Sequence, residues 1–193
     1  MHGRVGLSLL NIFQYKMTTY IALLRGINVS GQKKVPMAVL TLAMQELGLL
    51  NVKTYINSGN VVFQTVKTNQ NQLEELIKNK LFSYFGFEVS VLVKTCKQLD
   101  VILSKAPFSD EITEQSYFTL LHKKPDKNLV EDIKDVTYHN EEFYITEECV
   151  YFYSAVGYGR AKCNNNFFER KLKVTATTRN YKTMVKLLSL CSD

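Results

Sequence analysis

The sequence predicts an α+β protein in which a ferredoxin-like βαββαβ subdomain packs on a second α+β subdomain. Two observations predict it. Between Thr18 and Thr95, apolar runs of strand length and amphipathic runs of helix length alternate as strand–helix–strand–strand–helix–strand, the order of the split βαβ unit. No Pro- or Gly-rich linker follows near residue 95, so the second half is expected to pack tightly against the first. The expected boundaries are an extension over 1–16, a ferredoxin-like subdomain over 17–95 and a second subdomain over 96–193.

Each element has a local reason. Tyr20–Leu24 is apolar enough for a buried central strand and ends at Arg25-Gly26. Pro36 suits the first turn of a helix, where its missing N–H costs nothing. Val39, Leu40, Ala43, Met44 and Leu47 then recur at helical spacing, and Gly48 stops the helix. Val52–Asn57 and Val61–Gln64 alternate as two strands around Ser58-Gly59. A second helix spans about 69–85, and "FEVSVLVKT" alternates as the fourth strand. The resulting sheet carries both helices on one face, so its other face must be covered or used for binding.

The second half reads as a helix over 97–105, a strand over 115–122 and a helix from Pro125 to about Val136. A hairpin over 142–155 and helices at 167–172 and 181–190 complete it. No internal repeat beyond the recurring hairpin is evident.

Composition narrows the classes. Of 193 residues, 46% are hydrophobic and 22% charged, enough to build a real core and too apolar for long disorder. The formal charge is +6, unevenly placed. Residues 110–148 hold 11 acidic and 4 basic side chains, whereas 160–186 hold 8 basic ones against Glu169 alone. Such a basic segment either attracts a polyanion or is neutralised by the acidic segment within the fold. The four cysteines (Cys96, Cys149, Cys163 and Cys191) form no Cys-x-x-Cys pair and stand near no histidine at ligand spacing. Neither a zinc site nor a disulfide framework is expected, no cofactor is indicated, and the cytoplasm fits this usage. The apolar run within residues 1–16 is far short of the ~20 residues that cross a bilayer. Met17 reads as the natural start.

Three motifs concentrate polar residues. "RGINVSGQKK" (25–34) has glycines five apart but lacks the Gly-Lys-Ser/Thr of a Walker A loop. It is either an anion-binding loop with Lys33 and Lys34 or a solvated connection. "NSGN" (57–60) is either an ordinary turn or a holder of something else. In the ferredoxin-like order this tip is expected at the sheet end opposite the exit of the first strand. "TATTRNYKTMVKLL" (175–188) offers Thr177, Thr178 and Asn180 as helix caps. Arg179 at such a helix start opposes the macrodipole unless it meets an anion or a carboxylate. His122 and His139 sit in no catalytic signature and read as structural. Tyr151, Phe152 and Tyr153 resemble a base-stacking surface, though rings on a strand are more often core.

"LLRGINVSG" (23–31), "YINSGNVVF" (55–63) and "ATTRNYKTMVKL" (176–187) together resemble the bacterial domain-of-unknown-function family 1697, over nearly all of 17–190. That family usually has Trp where Tyr181 stands, and often Gly where Ser30 stands. The resemblance implies a ferredoxin-like subdomain joined to a second α+β subdomain, and no established activity. It also concentrates the polar residues at Arg25, Asn28, Asn57, Ser58, Asn60, Thr178, Arg179 and Asn180.

The expectation is that these line one anion-accepting cleft between the subdomains, with Arg25 and Arg179 holding the charge. The partner would be an anionic small molecule or nucleic acid, with no membrane involved. Two alternatives stand beside it: an enzyme on a small phosphorylated or carboxylated metabolite, and motifs that are purely structural.

Overall fold

The structure, a computed structural model, describes residues 16–29 and 31–192. The expected extension over 1–16 (Lys16 apart) and Ser30 lie outside these residues.

The chain is α+β, with two four-stranded antiparallel sheets. The first contains β1 (Met17–Leu24), β2 (Leu50–Tyr55), β3 (Asn60–Val66) and β4 (Val91–Thr95), in the order β2-β3-β1-β4. Helices α1 (Met37–Glu46) and α2 (Gln70–Phe85) connect them. Pro36 occupies the N-cap position of α1, and Asn69 caps α2 by accepting the Asn71 N–H. This is the ferredoxin-like order the alternation predicted.

The second sheet contains β5 (Tyr117–Leu121), β6 (Glu141–Ile145), β7 (Cys149–Ser154) and β8 (Ala176–Asn180), in the order β6-β7-β5-β8. Helices α5 (Lys127–Lys134) and α6 (Asn165–Leu172) lie within it in sequence. Helices α3 (Cys96–Ser104) and α4 (Asp110–Glu114) precede it, and α7 (Tyr181–Ser192) follows. The order is that of the first sheet again, which corrects the expectation of no repeat.

The correspondence extends to single bonds. Leu24 N–H donates to the Gly59 carbonyl (2.8 Å) and Leu121 N–H to the Glu148 carbonyl (2.9 Å). Likewise Arg25 N–H reaches the Ser90 carbonyl and His122 N–H the Thr175 carbonyl. Tyr20 pairs with Thr95 as Tyr117 pairs with Asn180. "YIALLR" (20–25) and "YFTLLH" (117–122) are therefore equivalent strands, and Lys94 on β4 corresponds to Arg179 on β8.

The core lies in three layers. Tyr20, Ala22, Leu24 and Phe63 pack on Leu40, Met44, Leu73 and Ile77 of α1 and α2. The opposite face of the first sheet (Ile21, Leu23, Val62, Leu92) meets α3, α7, Phe118, Leu120 and Tyr151 in a shared middle layer. Phe152, Val150 and Leu121 pack on Ile133, Phe167 and Phe168 of α5 and α6. The first sheet's second face is thus covered by the other half, and Tyr151 and Phe152 are core. Tyr151 donates its hydroxyl to the Ile102 carbonyl at 2.9 Å.

Three further expectations are corrected. "ATTRN" is strand β8, and only Asn180 caps a helix, accepting the Thr183 N–H of α7 (2.9 Å). The β2–β3 tip lies at the exit of β1, because β3 runs antiparallel to β1 and pairs Asn60 with Leu23. Cys96 and Cys191, 95 residues apart, form a disulfide across the packed helices α3 and α7, with Cα atoms 6.2 Å apart. Spacing along a chain carries no trace of such a pairing. No described helix is long and apolar enough to cross a membrane.

Candidate functional site

Six of the eight expected residues meet at one junction, built around Arg179. On β8, Thr177 and Arg179 point inward and are buried, while Asn180 is exposed. Arg179 reaches across to the first half. Its Nε donates to Asn60 Oδ1, and Nη1 donates to Thr177 Oγ1 and the Thr178 carbonyl, both at 2.8 Å. Nη2 donates to the Leu24 carbonyl at 3.0 Å and to the Ser58 and Gly59 carbonyls, both at 3.2 Å. A guanidinium has five N–H donors, and all five are engaged by neutral acceptors. Burial pushes Arg179 down to about 10, which leaves it a cation at neutral pH.

The hairpin tip is shaped to receive it. Asn60, fully buried, donates to the Tyr55 carbonyl and Ser58 Oγ, both at 3.0 Å. Asn28, itself at φ 55°, donates to the Val35 and Asn57 carbonyls and so braces the tip against the first loop. Thr178 Oγ1 is held by Thr119 Oγ1 at 2.8 Å and bonds Asn165 Oδ1 at 2.9 Å. The polar motifs of both halves form one clasp, with the basic residue contributed by the second. The pseudo-equivalent clasp is Lys94, only 8% exposed, whose Nζ donates to Glu148 Oε1 on the β6–β7 tip (2.9 Å).

Arg25 stands apart from the clasp. It forms a two-point ion pair with Glu169 of α6, Nε to Oε1 at 2.7 Å and Nη2 to Oε2, and Nη2 also reaches Asn166 Oδ1. Among the described residues its Nη1 has no acceptor. Glu169 also accepts the Ala176 N–H at 2.8 Å, which ties α6 to β8. Arg179 is met by neutral acceptors and by no carboxylate among the described residues, whereas Arg25 is paired with Glu169.

Beside this ion pair opens a cleft of about 290 Å³ that both halves line: Arg25, Lys33, Glu74, Glu75, Lys78 and Glu88 from the first, His122 and Thr175 from the second. A shallower depression lined by Glu169, Lys173 and Val174 adjoins it through Thr175. Lys33, held at φ 45°, donates Nζ to the Glu88 carbonyl at 2.8 Å. His122 Nε2 is buried and has no hydrogen-bond partner. Burial, with Arg25 and Lys94 nearby, pushes the imidazole below its usual range, against the opposing pull of Glu169. Desolvation also raises the Glu74 carboxyl, which accepts the Val93 N–H at 2.8 Å.

The sequence profile of the family described as "protein of unknown function" (DUF1697) matches residues 17–151. The chain belongs to DUF1697. A solved structure of a conserved bacterial protein from Streptococcus pneumoniae is similar, with a TM-score of 0.70 and 26% identity over 91% of this chain and 99% of that one. No curated protein matches the chain.

Sequence reasoning missed Glu169 and His122 as site residues in this DUF1697 protein. Glu169 did carry a signal, as the lone acid in a basic segment, three residues after Asn166 on one helix face. His122 carried one only through its equivalence to Arg25.

A neutral buried imidazole has a definite pH consequence. The folded-state pKa lies below the unfolded value of about 6.5, so the unfolded chain binds more protons in that window. His122's share of stability is therefore complete above about pH 6.5 and is lost as pH falls through the depressed folded pKa. We expect the His122 ring resonances to titrate below about 6.5 by NMR. We also expect His122→Asn to flatten the acid side of the stability profile.

Proposed function

We propose that the protein binds a small metabolite carrying one anionic group, a phosphate or carboxylate, in the cleft between its halves. The observation that carries the reading is a cleft lined both by His122, whose buried Nε2 has no hydrogen-bond partner, and by Arg25, whose Nη1 has no acceptor among the described residues. A buried polar atom without a partner is costly unless something completes it. Arg25 Nη1, Lys78 and Lys33 supply donors for an oxyanion. Glu74, Glu75 and Glu88 line the same cleft and disfavour a polyanion such as a nucleic-acid backbone. They favour a ligand whose remainder bears hydroxyl or amino groups. The Arg179 clasp contributes by fixing the two halves, so that the cleft keeps one shape.

The nucleic-acid reading loses its main surface, because the sheet face that stacks bases in RNA-recognition folds is buried here against α3, α7 and the second sheet. An enzymatic reading has one feature behind it: His122 lines the cleft as an unprotonated imidazole, a candidate proton acceptor that the same burial makes a weaker base.

A thermal-shift and NMR titration panel of inorganic phosphate, nucleoside monophosphates, sugar phosphates, dicarboxylates and a short RNA tests the proposal. Compounds bearing a single phosphate or carboxylate group should raise Tm and move the His122 ring resonances. Arg25→Lys, which keeps a cation for Glu169 but lacks the fork, should weaken binding by about tenfold, the scale of a lost charged hydrogen bond. A shift with RNA alone, or with no compound, would remove the reading.

A further inference from the structure

We propose that Cys96 and Cys191 form a reversible thiol–disulfide site through which a small-molecule thiol sets how firmly α7 is held. The bond joins the first residue of α3 to the last turn of α7 and closes a segment containing the whole second sheet. Helix α7 places Met184 and Leu187 in the layer shared by both halves, so its anchorage bears on the contact between them.

Access separates this pair from the other two cysteines. Cys96 and Cys191 are half-buried, whereas Cys149 and Cys163 are fully enclosed free thiols. Burial drives the Cys149 thiol well above its ordinary range and the Cys163 thiol up to about 12. Exchange depends on a thiolate and on reach, so reaction is confined to one pair.

The direction of exchange follows from the helix. Cys96 opens α3, where Thr95 and Gln98 form a reciprocal capping box. The positive end of the macrodipole stabilises a thiolate there. The incoming thiolate attacks the Cys191 sulfur and forms a mixed disulfide, while the Cys96–Cys191 bond breaks and Cys96 leaves with the electron pair. A second thiolate then attacks the small molecule's sulfur in that mixed disulfide and releases Cys191. The two protein thiolates take up the protons the two incoming thiols gave up, and those thiols end as their own disulfide.

The test uses the full-length protein purified without reductant, alkylated under native conditions and mapped by mass spectrometry. Iodoacetamide should label neither Cys96 nor Cys191 before dithiothreitol and both afterwards, with Cys149 and Cys163 unlabelled throughout. Reduction should speed amide exchange over 181–192 by at least about tenfold, as local opening of a released helix end does. Oxidised glutathione should restore the slow rate. Cys191→Ser should exchange like the reduced protein, and the wild-type arms decide the matter if that variant does not fold. Free Cys96 and Cys191 in the unreduced protein, or exchange over α7 indifferent to reduction, overturns the proposal.

Discussion

Arg179→Met should cost about 4 kcal/mol or more of folding stability, enough to remove much of the total of a domain this size. The side chain it replaces donates to the Leu24, Ser58, Gly59 and Thr178 carbonyls, to Asn60 Oδ1 and to Thr177 Oγ1. Each buried acceptor left without a donor costs about 1–3 kcal/mol. Replacing a buried ion pair by apolar groups is often harmless, because both partners can be removed together. That escape is closed here, since most partners are main-chain carbonyls that no substitution deletes. Methionine keeps the length and the packing, so the loss measures the hydrogen bonds. Arg179→Lys should recover only part, because an ammonium has three donors and no planar fork. Urea unfolding gives the values. In a double-mutant cycle, Arg179→Met should cost less on an Asn60→Leu background, and strict additivity would mean that the two do not share one network.

What was legible in the sequence follows the physics of each element. The first sheet alternates between two apolar environments, so Tyr20–Leu24 and Val61–Phe63 were plain. Strand β8 was hidden because Thr177, Thr178 and Arg179 are polar and resemble cap residues. Arg179 is buried on that strand only because acceptors from the other half await it, and most of those are main-chain carbonyls, which leave no mark in residue type. The convergence of Arg25 and Arg179 on one ligand was inferred from residue type in the same way. The fold gives Arg25 a carboxylate and a cleft, and gives Arg179 a ring of carbonyls. The repeat was concealed because "VLVKT" and "ATTRN" agree at no equivalent position. Only strand register shows that Lys94 and Arg179 hold the same place and that each reaches into the hairpin tip of the opposite half.

Gly59→Ala is expected to be the second severe substitution, at about 2–4 kcal/mol, from a left-handed backbone and a steric conflict acting together. Gly59 sits at φ +78°, and a Cβ built there falls 2.6 Å from Leu24 Cβ and 2.9 Å from Ile27 Cδ1. Neither neighbour yields easily. Leu24 is fully buried in the central strand, and its N–H is held by the Gly59 carbonyl itself at 2.8 Å. Trimming Leu24 to alanine gives no relief, because the offending atom is the Cβ that alanine keeps. Gly86→Ala is the matched control: its φ of +72° imposes a similar conformational cost, but nothing lies within 4 Å of the added atom. It should lose only about 1 kcal/mol, the backbone share alone. The difference between the two midpoints in urea isolates the clash, and equal losses would show that the hairpin tip is loose. Because a displaced tip withdraws the Ser58 and Gly59 carbonyls from the guanidinium, Gly59→Ala and Arg179→Met should together cost less than their sum. The turn and the arginine are then one structural unit, held by a close approach that only glycine allows.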